Sequence, residues 1–352
     1  MLLPMDDTVS NLKKPDSHER VHLPRRPLGS RPAATGAGES TAAGFLVIEQ
    51  YRTPFFTVFR RQWQLYAMIL LPVLFITIFM YGPMFGIVVA FKDFSFRRGI
   101  LGSEWVGLRY FRQFLTTPLF YSLLLNTVVL SVYSLVAGFL MPIILALALN
   151  EIKSMFFKKT VQMVTYFPYF ISTVVMVGIV LQVLSPRGGF VNNVISAMGG
   201  TPINFMGIPS LWRSIYVWSG VWQLTGYGAI IYLAALSAVD PALVDSAIID
   251  GVTRPQRVRY IDLPTIAPTI IILLILAVGN IMSVGFEKAF VMQNNINLSV
   301  SEIISTYVYK RGLVHYQYSF ATAVGVFNSV VNFLLLITAN TVAKQTSEYN
   351  LW

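Results

Sequence analysis

Residues 240–264 read DPALVDSAIIDGVTRPQRVRYIDLP. This is the charged, patterned stretch of a largely apolar chain, and its reading decides what kind of membrane protein the chain is. Asp240-Pro241 is a helix start. The carboxylate can accept free backbone N–H groups, and proline fits the first helical position. A short helix over 241–250 then ends at Gly251, a natural residue for the turn after a helix. Thr253 and Pro255 start a second helix, which carries Arg254, Arg257 and Arg259 to Leu263-Pro264. The loop therefore predicts helix, glycine turn, helix, with acidic groups mainly on the first half and basic groups on the second. On residues alone, an ordinary solvated loop and a rigid element that passes a push to the adjoining spans are both open.

Around the loop, composition points to the bilayer. Of 352 residues, 55% are hydrophobic and 12% charged, and mean hydropathy is +0.62. A soluble chain of this length needs more polar surface. There is no cysteine, which excludes disulfides, thiol catalysis and cysteine metal sites. The net charge of +10 suits an anionic lipid surface more simply than nucleic acid. The start, MLLPMDDTVS, lacks a basic region followed by an apolar run, so no cleavable signal is expected. Residues 1–44 hold five prolines and four glycines and read as a disordered tail. Residues 45–62 read as an interfacial amphipathic segment or an extension of the first span.

Six charge-free stretches, 62–91, 113–150, 160–186, 214–239, 263–286 and 312–343, each exceed the roughly 20 residues that a helix needs to cross the hydrocarbon. Backbone groups in lipid must bond internally, so these are expected to be helices. The fold class is an all-α membrane protein with six transmembrane helices over 63–345. Residues 188–212, GGFVNNVISAMGGTPINFMGIPSLW, also lack acidic and basic side chains, yet paired glycines, two prolines and three asparagines read as an outer loop with one short helix. The positive-inside rule does not set orientation. With the six basic residues of the tail set aside, Lys and Arg divide ten against ten.

The loop also resembles a known signature. Permease subunits of bacterial ABC importers carry EAA-x3-G-x9-I-x-L-P in a cytoplasmic loop between two late spans. Here Asp245-Ser246-Ala247 is followed by three residues, Asp250 among them, then Gly251, nine residues, Ile261, one residue and Leu263-Pro264. Every spacing agrees, with Asp for Glu and Ser for Ala. The segments YGPMFGIVVAFKDFS, GSEWVGLRYF, GFEKAFVMQN and TYVYKRGL resemble the branch that serves oligosaccharides and polysaccharides, including aldouronate-type systems. The resemblance covers about residues 60–352.

The resemblance implies a type I ABC-importer permease fold in the cytoplasmic (inner) membrane, with both termini cytoplasmic. It implies a heterodimer with a second homologous permease, two ATPase subunits and an extracytoplasmic solute-binding protein. The first loop helix would sit in a groove of an ATPase subunit. Without a G-x-x-x-x-G-K-[ST] loop, this chain has no phosphate cradle of that kind. ATP and Mg would belong to the partner ATPases, with no cofactor bound here.

The spans carry no central charge, which weighs against an ion-coupled secondary transporter. A channel or receptor module without an ATPase stays open on composition alone. Asn126, Gln162, Tyr166, Tyr169, Gln223, Tyr227, Asn280 and Asn328 are candidates to line an oligosaccharide path, by hydrogen bonding and aromatic stacking, or to join helices. The segment Lys92–Arg112, with five basic and two acidic residues, suits an acidic binding protein, a uronate or plain solvation. An enzyme is not expected. Asp245 and Asp250, five apart, do not share a helix face well, and His315 lacks a nearby partner in sequence.

Overall fold

A computed structural model describes residues 59–283, 285–346 and 349–351. The tail 1–44 and all but the last few residues of segment 45–62 lie outside the described residues. The described residues are mostly helical. The helices used below are α1 (Trp63–Ile76), α2 (Phe120–Asn150), α3 (Met155–Tyr166), α4 (Thr173–Val183), α5 (Pro209–Leu236), α6 (Pro241–Ile249), α7 (Arg254–Arg257), α8 (Leu263–Gly279), α9 (Phe286–Met292), α10 (Ile304–Tyr309) and α11 (Tyr318–Thr346).

Among the described residues, four helical runs are long and apolar enough to cross a membrane: Trp63–Phe91, Phe120–Asn150, Arg254–Gly279 and Tyr318–Thr346. Two bent pairs raise the number to six: Met155–Phe170 with Thr173–Val183, bent by 103°, and α5 with α6, bent by 81°. Large apolar side chains stay uncovered along the first run, among them Leu71, Phe79 and Phe85. In a membrane that surface meets lipid tails or a partner helix at no hydrophobic cost.

Three apolar clusters join the helices. Leu130 of α2, Met176 and Val177 of α4, Trp212 and Val217 of α5 and Met292 of α9 form one. Phe114, Leu123, Met282, Ile304, Tyr307, Phe320 and Val324 form the second. Ile143 and Ala146 of α2, Ala229 and Tyr232 of α5 and Ile266 of α8 form the third. A two-stranded antiparallel ribbon, β1 (Lys92–Asp93) and β2 (Glu104–Trp105), follows the first run. The Lys92 ammonium donates to the carbonyls of Ile100 and Leu101. That cation of the basic segment is therefore turned onto its own backbone.

Several sequence boundaries need correction. The stretch 160–186 is not one straight span. Pro168 lies in a 3-10 turn, Ile171 and Ser172 are extended, and Ser172 caps α4 by accepting from the Val175 N–H. The outer loop ends at Ile208 and not at Trp212, because Pro209 opens α5 and Trp212 is fully buried. Stretch 113–150 divides into a short helix, Arg109–Leu115, and α2. Stretch 263–286 ends at Gly279, and Phe286 already begins α9. The last span begins at Tyr318 and not near 312. The span does begin at Leu263-Pro264, as an α-helix from Leu263. A π turn over Val258–Asp262 joins α7 to α8 without a break, and its wider turn accommodates the missing proline N–H.

Gly226 of α5 lies against the backbone of α3, where an added Cβ would lie 2.0 Å from the Thr165 carbonyl oxygen. Backbone cannot yield as a flexible side chain would. Gly226→Val should destabilise the fold by roughly 3 kcal/mol, read as a lower thermal midpoint of the detergent-purified protein. Gly325→Ala, where an added Cβ meets open space, is the control. An unchanged midpoint for Gly226→Val would refute this packing.

Candidate functional site

The break between α3 and α4 opens a cavity of about 860 Å³ beside α2, α5 and the start of α9. Irregular backbone at membrane depth is tolerated where it is buried in protein or lines a cavity. Here Ile171, Ser172 and Thr173 lie on the wall. The Gln223 side-chain amide donates to the Ile171 carbonyl at 2.8 Å, which satisfies an acceptor freed by the break. Gln223 thus lines the cavity and also holds its wall in shape.

Of the other candidates, Tyr169 and Asn280 line the cavity. Tyr227 does not, but its ring stacks on Tyr169 with centroids 3.7 Å apart. Tyr166 and Gln162 are off the wall. Asn126 is buried, donates to the carbonyls of Ser299 and Glu302, and accepts from Arg213. Asn328 donates to the Met282 carbonyl. Both asparagines join helices, and neither faces the cavity. In an apolar medium an amide seeks such partners, and the Asn328 Oδ1 is nonetheless buried with none among the described residues.

The wall also carries residues that sequence reasoning passed over: Ser131 and Ser134 of α2, Tyr216 and Gly220 of α5, and Glu287 and Lys288 of α9. The Ser131 and Ser134 hydroxyls are buried with no hydrogen-bond partner among the described residues. Lys288 is only 9% exposed. Its ammonium donates to the Tyr216 carbonyl at 2.5 Å and lies 4.5 Å from the centre of the Tyr216 ring. Burial draws its pKa down to about 7, since a cation in low dielectric lacks the hydration of water.

At the far end of α5, the loop folds as two helices around a glycine. Asp240 caps α6 by accepting from the Ala242 N–H at 2.9 Å. After α6, the Gly251 N–H donates to the Ile248 carbonyl and the Val252 N–H to the Ala247 carbonyl. That paired closure needs a left-handed residue, and Gly251 has φ +73°. Thr253 and Gln256 form a capping box for α7.

Of the residues singled out in the loop, only Ala247 is fully buried. Asp245, Ser246, Asp250, Gly251 and Pro264 are exposed, while Ile261 and Leu263 are half-buried. Leu243, Ile248 and Ile249 are also exposed, Ile249 by 85%. The outer side of α6 is thus a mixed apolar and acidic surface.

An ion cluster holds the loop to the helices. Arg257 pairs with Glu151, just past α2, and its Nε lies 3.4 Å from Asp262. Arg254 lies 3.9 Å from Glu151. Asp262 is 2% exposed. The Arg257–Glu151 pair joins residues 106 apart in sequence, and the signature spacing carries no mark of it.

Residues 138–347 match the family model of the binding-protein-dependent transport system inner membrane component. The chain is 43% identical over 292 residues to the polygalacturonan/rhamnogalacturonan transport system permease protein YteP of Bacillus subtilis (strain 168), covering 83% of this chain and 91% of that protein. It is 40% identical over 293 residues to protein LplB of the same organism, covering 83% and 92%. A chain of a bacterial ABC transporter involved in the import of the acidic polysaccharide alginate matches with TM-score 0.77 and 38% identity, over 83% of this chain and 99% of that one. A second alginate transporter structure, in complex with an alginate pentasaccharide-bound periplasmic protein, matches with TM-score 0.78 and 37% identity, over 85% and 100%.

Arg257→Met would leave the buried Asp262 carboxylate without its cation and should destabilise the protein by about 3 kcal/mol. The double change Arg257→Met with Asp262→Asn should recover part of that loss. Thermal unfolding of the purified protein checks both. Equal midpoints for wild type and Arg257→Met would show that the cluster contributes nothing.

Proposed function

The chain belongs to the family of binding-protein-dependent transport system inner membrane components, and from that membership we propose that it is one permease subunit of an ATP-driven importer for acidic oligosaccharides. The single observation that carries the reading is the likeness to the alginate transporter chain, at 38% identity over 99% of that chain. The relative at 43% identity is named for polygalacturonan and rhamnogalacturonan transport, and galacturonan too is built from carboxylated sugars.

The proposed work divides between the two regions. The cavity beside the α3–α4 break forms this subunit's share of the substrate path, with Tyr169, Gln223 and Asn280 on its wall. Tyr227 supports Tyr169 by stacking. A second homologous permease completes the path, and an extracytoplasmic solute-binding protein delivers the sugar. Two ATPase subunits bind ATP and Mg. The chain sits in the cytoplasmic membrane with both termini in the cytoplasm.

Helix α6 is the proposed ATPase contact. Asp245, Ser246 and Asp250, with Leu243, Ile248 and Ile249, offer charge and apolar area to a groove. Ala247 faces inward and packs the helix on its own chain. Gly251 sets the turn, and Ile261, Leu263 and Pro264 carry motion into α8. The Glu151–Arg257–Asp262 cluster makes the loop rigid enough to move the spans rather than bend.

Acidic oligosaccharide with its binding protein should stimulate ATP hydrolysis by the assembled complex more than a neutral oligosaccharide does. No stimulation by any acidic oligosaccharide would overturn the substrate class. Proline cannot adopt the φ of Gly251, so Gly251→Pro, and separately Asp245→Lys, should lower uptake per ATP hydrolysed by roughly tenfold. Near-normal coupling in both variants would sink the role given to α6.

A further inference from the structure

We propose that Lys288 is the carboxylate-binding residue of the cavity and sets this subunit's preference for uronate-containing over neutral oligosaccharides. The proposal rests on the reading of the chain as an acidic-oligosaccharide permease and names the group that would do the selecting.

Three observations carry it. First, Glu287 and Lys288 are the charged side chains on the cavity wall among the described residues, and of the two only Lys288 is buried. Adjacent residues on a helix do not face each other, and Lys288 makes no ion pair among the described residues. A buried cation without a counter-ion is costly, and an anionic ligand would offset that cost.

Second, the ammonium is positioned rather than loose. One N–H is spent on the Tyr216 carbonyl, and the Tyr216 ring lies beside it. The Tyr216 hydroxyl donates to the Gly285 carbonyl at 3.2 Å, which fixes the entry to α9 against α5. A lysine ammonium has three donors, so capacity remains for a ligand. Third, α5 makes room for the group. At Gly220, one turn beyond Tyr216, an added Cβ would lie 2.9 Å from the Lys288 Nζ.

The chemistry selects for charge. A carboxylate accepts a short, charge-assisted hydrogen bond from an ammonium, stronger than a neutral hydroxyl does. The neighbouring wall suits the rest of the sugar. Tyr169 offers a ring to stack on. No covalent step is involved. The cation would hold one uronate at a time, and its Tyr216 partner keeps it in place when the sugar moves on.

The test uses the full complex in proteoliposomes, with its partner permease, ATPases and binding protein. The probes are trigalacturonate and its methyl ester, which is the same length but uncharged. Lys288→Gln retains a donor for the Tyr216 carbonyl and removes the charge. Lys288→Arg restores the charge. Wild type should favour the acid, Lys288→Gln should cut the acid-to-ester uptake ratio about tenfold, and Lys288→Arg should recover most of it. A wild-type ratio retained by Lys288→Gln would overturn the proposal while leaving the importer reading intact. Wild-type complex that takes up no acidic oligosaccharide would overturn both. If Lys288→Gln fails to assemble while Lys288→Arg assembles with the ratio lost, Lys288 is a packing residue and the proposal is likewise overturned.

Discussion

The chain must satisfy its backbone without water, and it departs from continuous helix at Ile171 and Ser172. The architecture around the cavity depends on how that departure is made tolerable. Ser172 accepts from an orphan N–H of α4, and Gln223 donates to an orphan carbonyl at Ile171. With those groups satisfied, the 103° bend can persist and leave space beside α5. A straight helix there would fill that space. The same requirement explains why Asn126 and Asn328, polar groups equally suited in type to meeting a sugar, are spent on carbonyls of neighbouring segments.

The loop and the cavity share α5. The middle of that helix carries Tyr216, Gly220 and Gln223 on the cavity wall, and its end turns sharply into α6. On the return, α7 and α8 form one continuous run, so displacement of the loop is displacement of the span. The π turn is what permits this continuity through Pro264. The Glu151–Arg257–Asp262 cluster adds a third point of attachment, at the end of α2. Loop, α2, α5 and α8 are thus mechanically joined, and three of these reach the cavity wall.

Much of this was legible in the sequence. Asp240, Gly251 and the Thr253–Gln256 pair act through backbone geometry within a few residues, so their pattern reads directly. Lack of charge located the spans because burying charge in lipid is expensive. It did not reveal where a span breaks, since Pro168 and Ser172 are uncharged too. The proline and the capping serine were the available signal.

The cavity wall had a signal as well. Ser131, Ser134 and Gly138 recur at helical spacing, as do Tyr216, Gly220 and Gln223, and each set marks one face of a helix. Lys288 could not be placed, because position relative to a span end says nothing about which way a short helix folds back. The Glu151–Arg257 pairing depends on tertiary proximity alone.

The role proposed for the loop, a contact for partner ATPases that carries motion into α8, implies that ATP bound by those partners changes which side of the membrane the cavity faces. The chain lacks cysteine, so Leu224→Cys places one labelled group of this subunit on the cavity wall, at an exposed position. The deciding measurement is labelling of that cysteine by a membrane-impermeant thiol reagent, applied from either side of proteoliposomes holding the complex. The account predicts that trapping the ATP-bound state moves labelling from the cytoplasmic side to the outer side. Labelling from the same side or sides, with and without ATP, would contradict it.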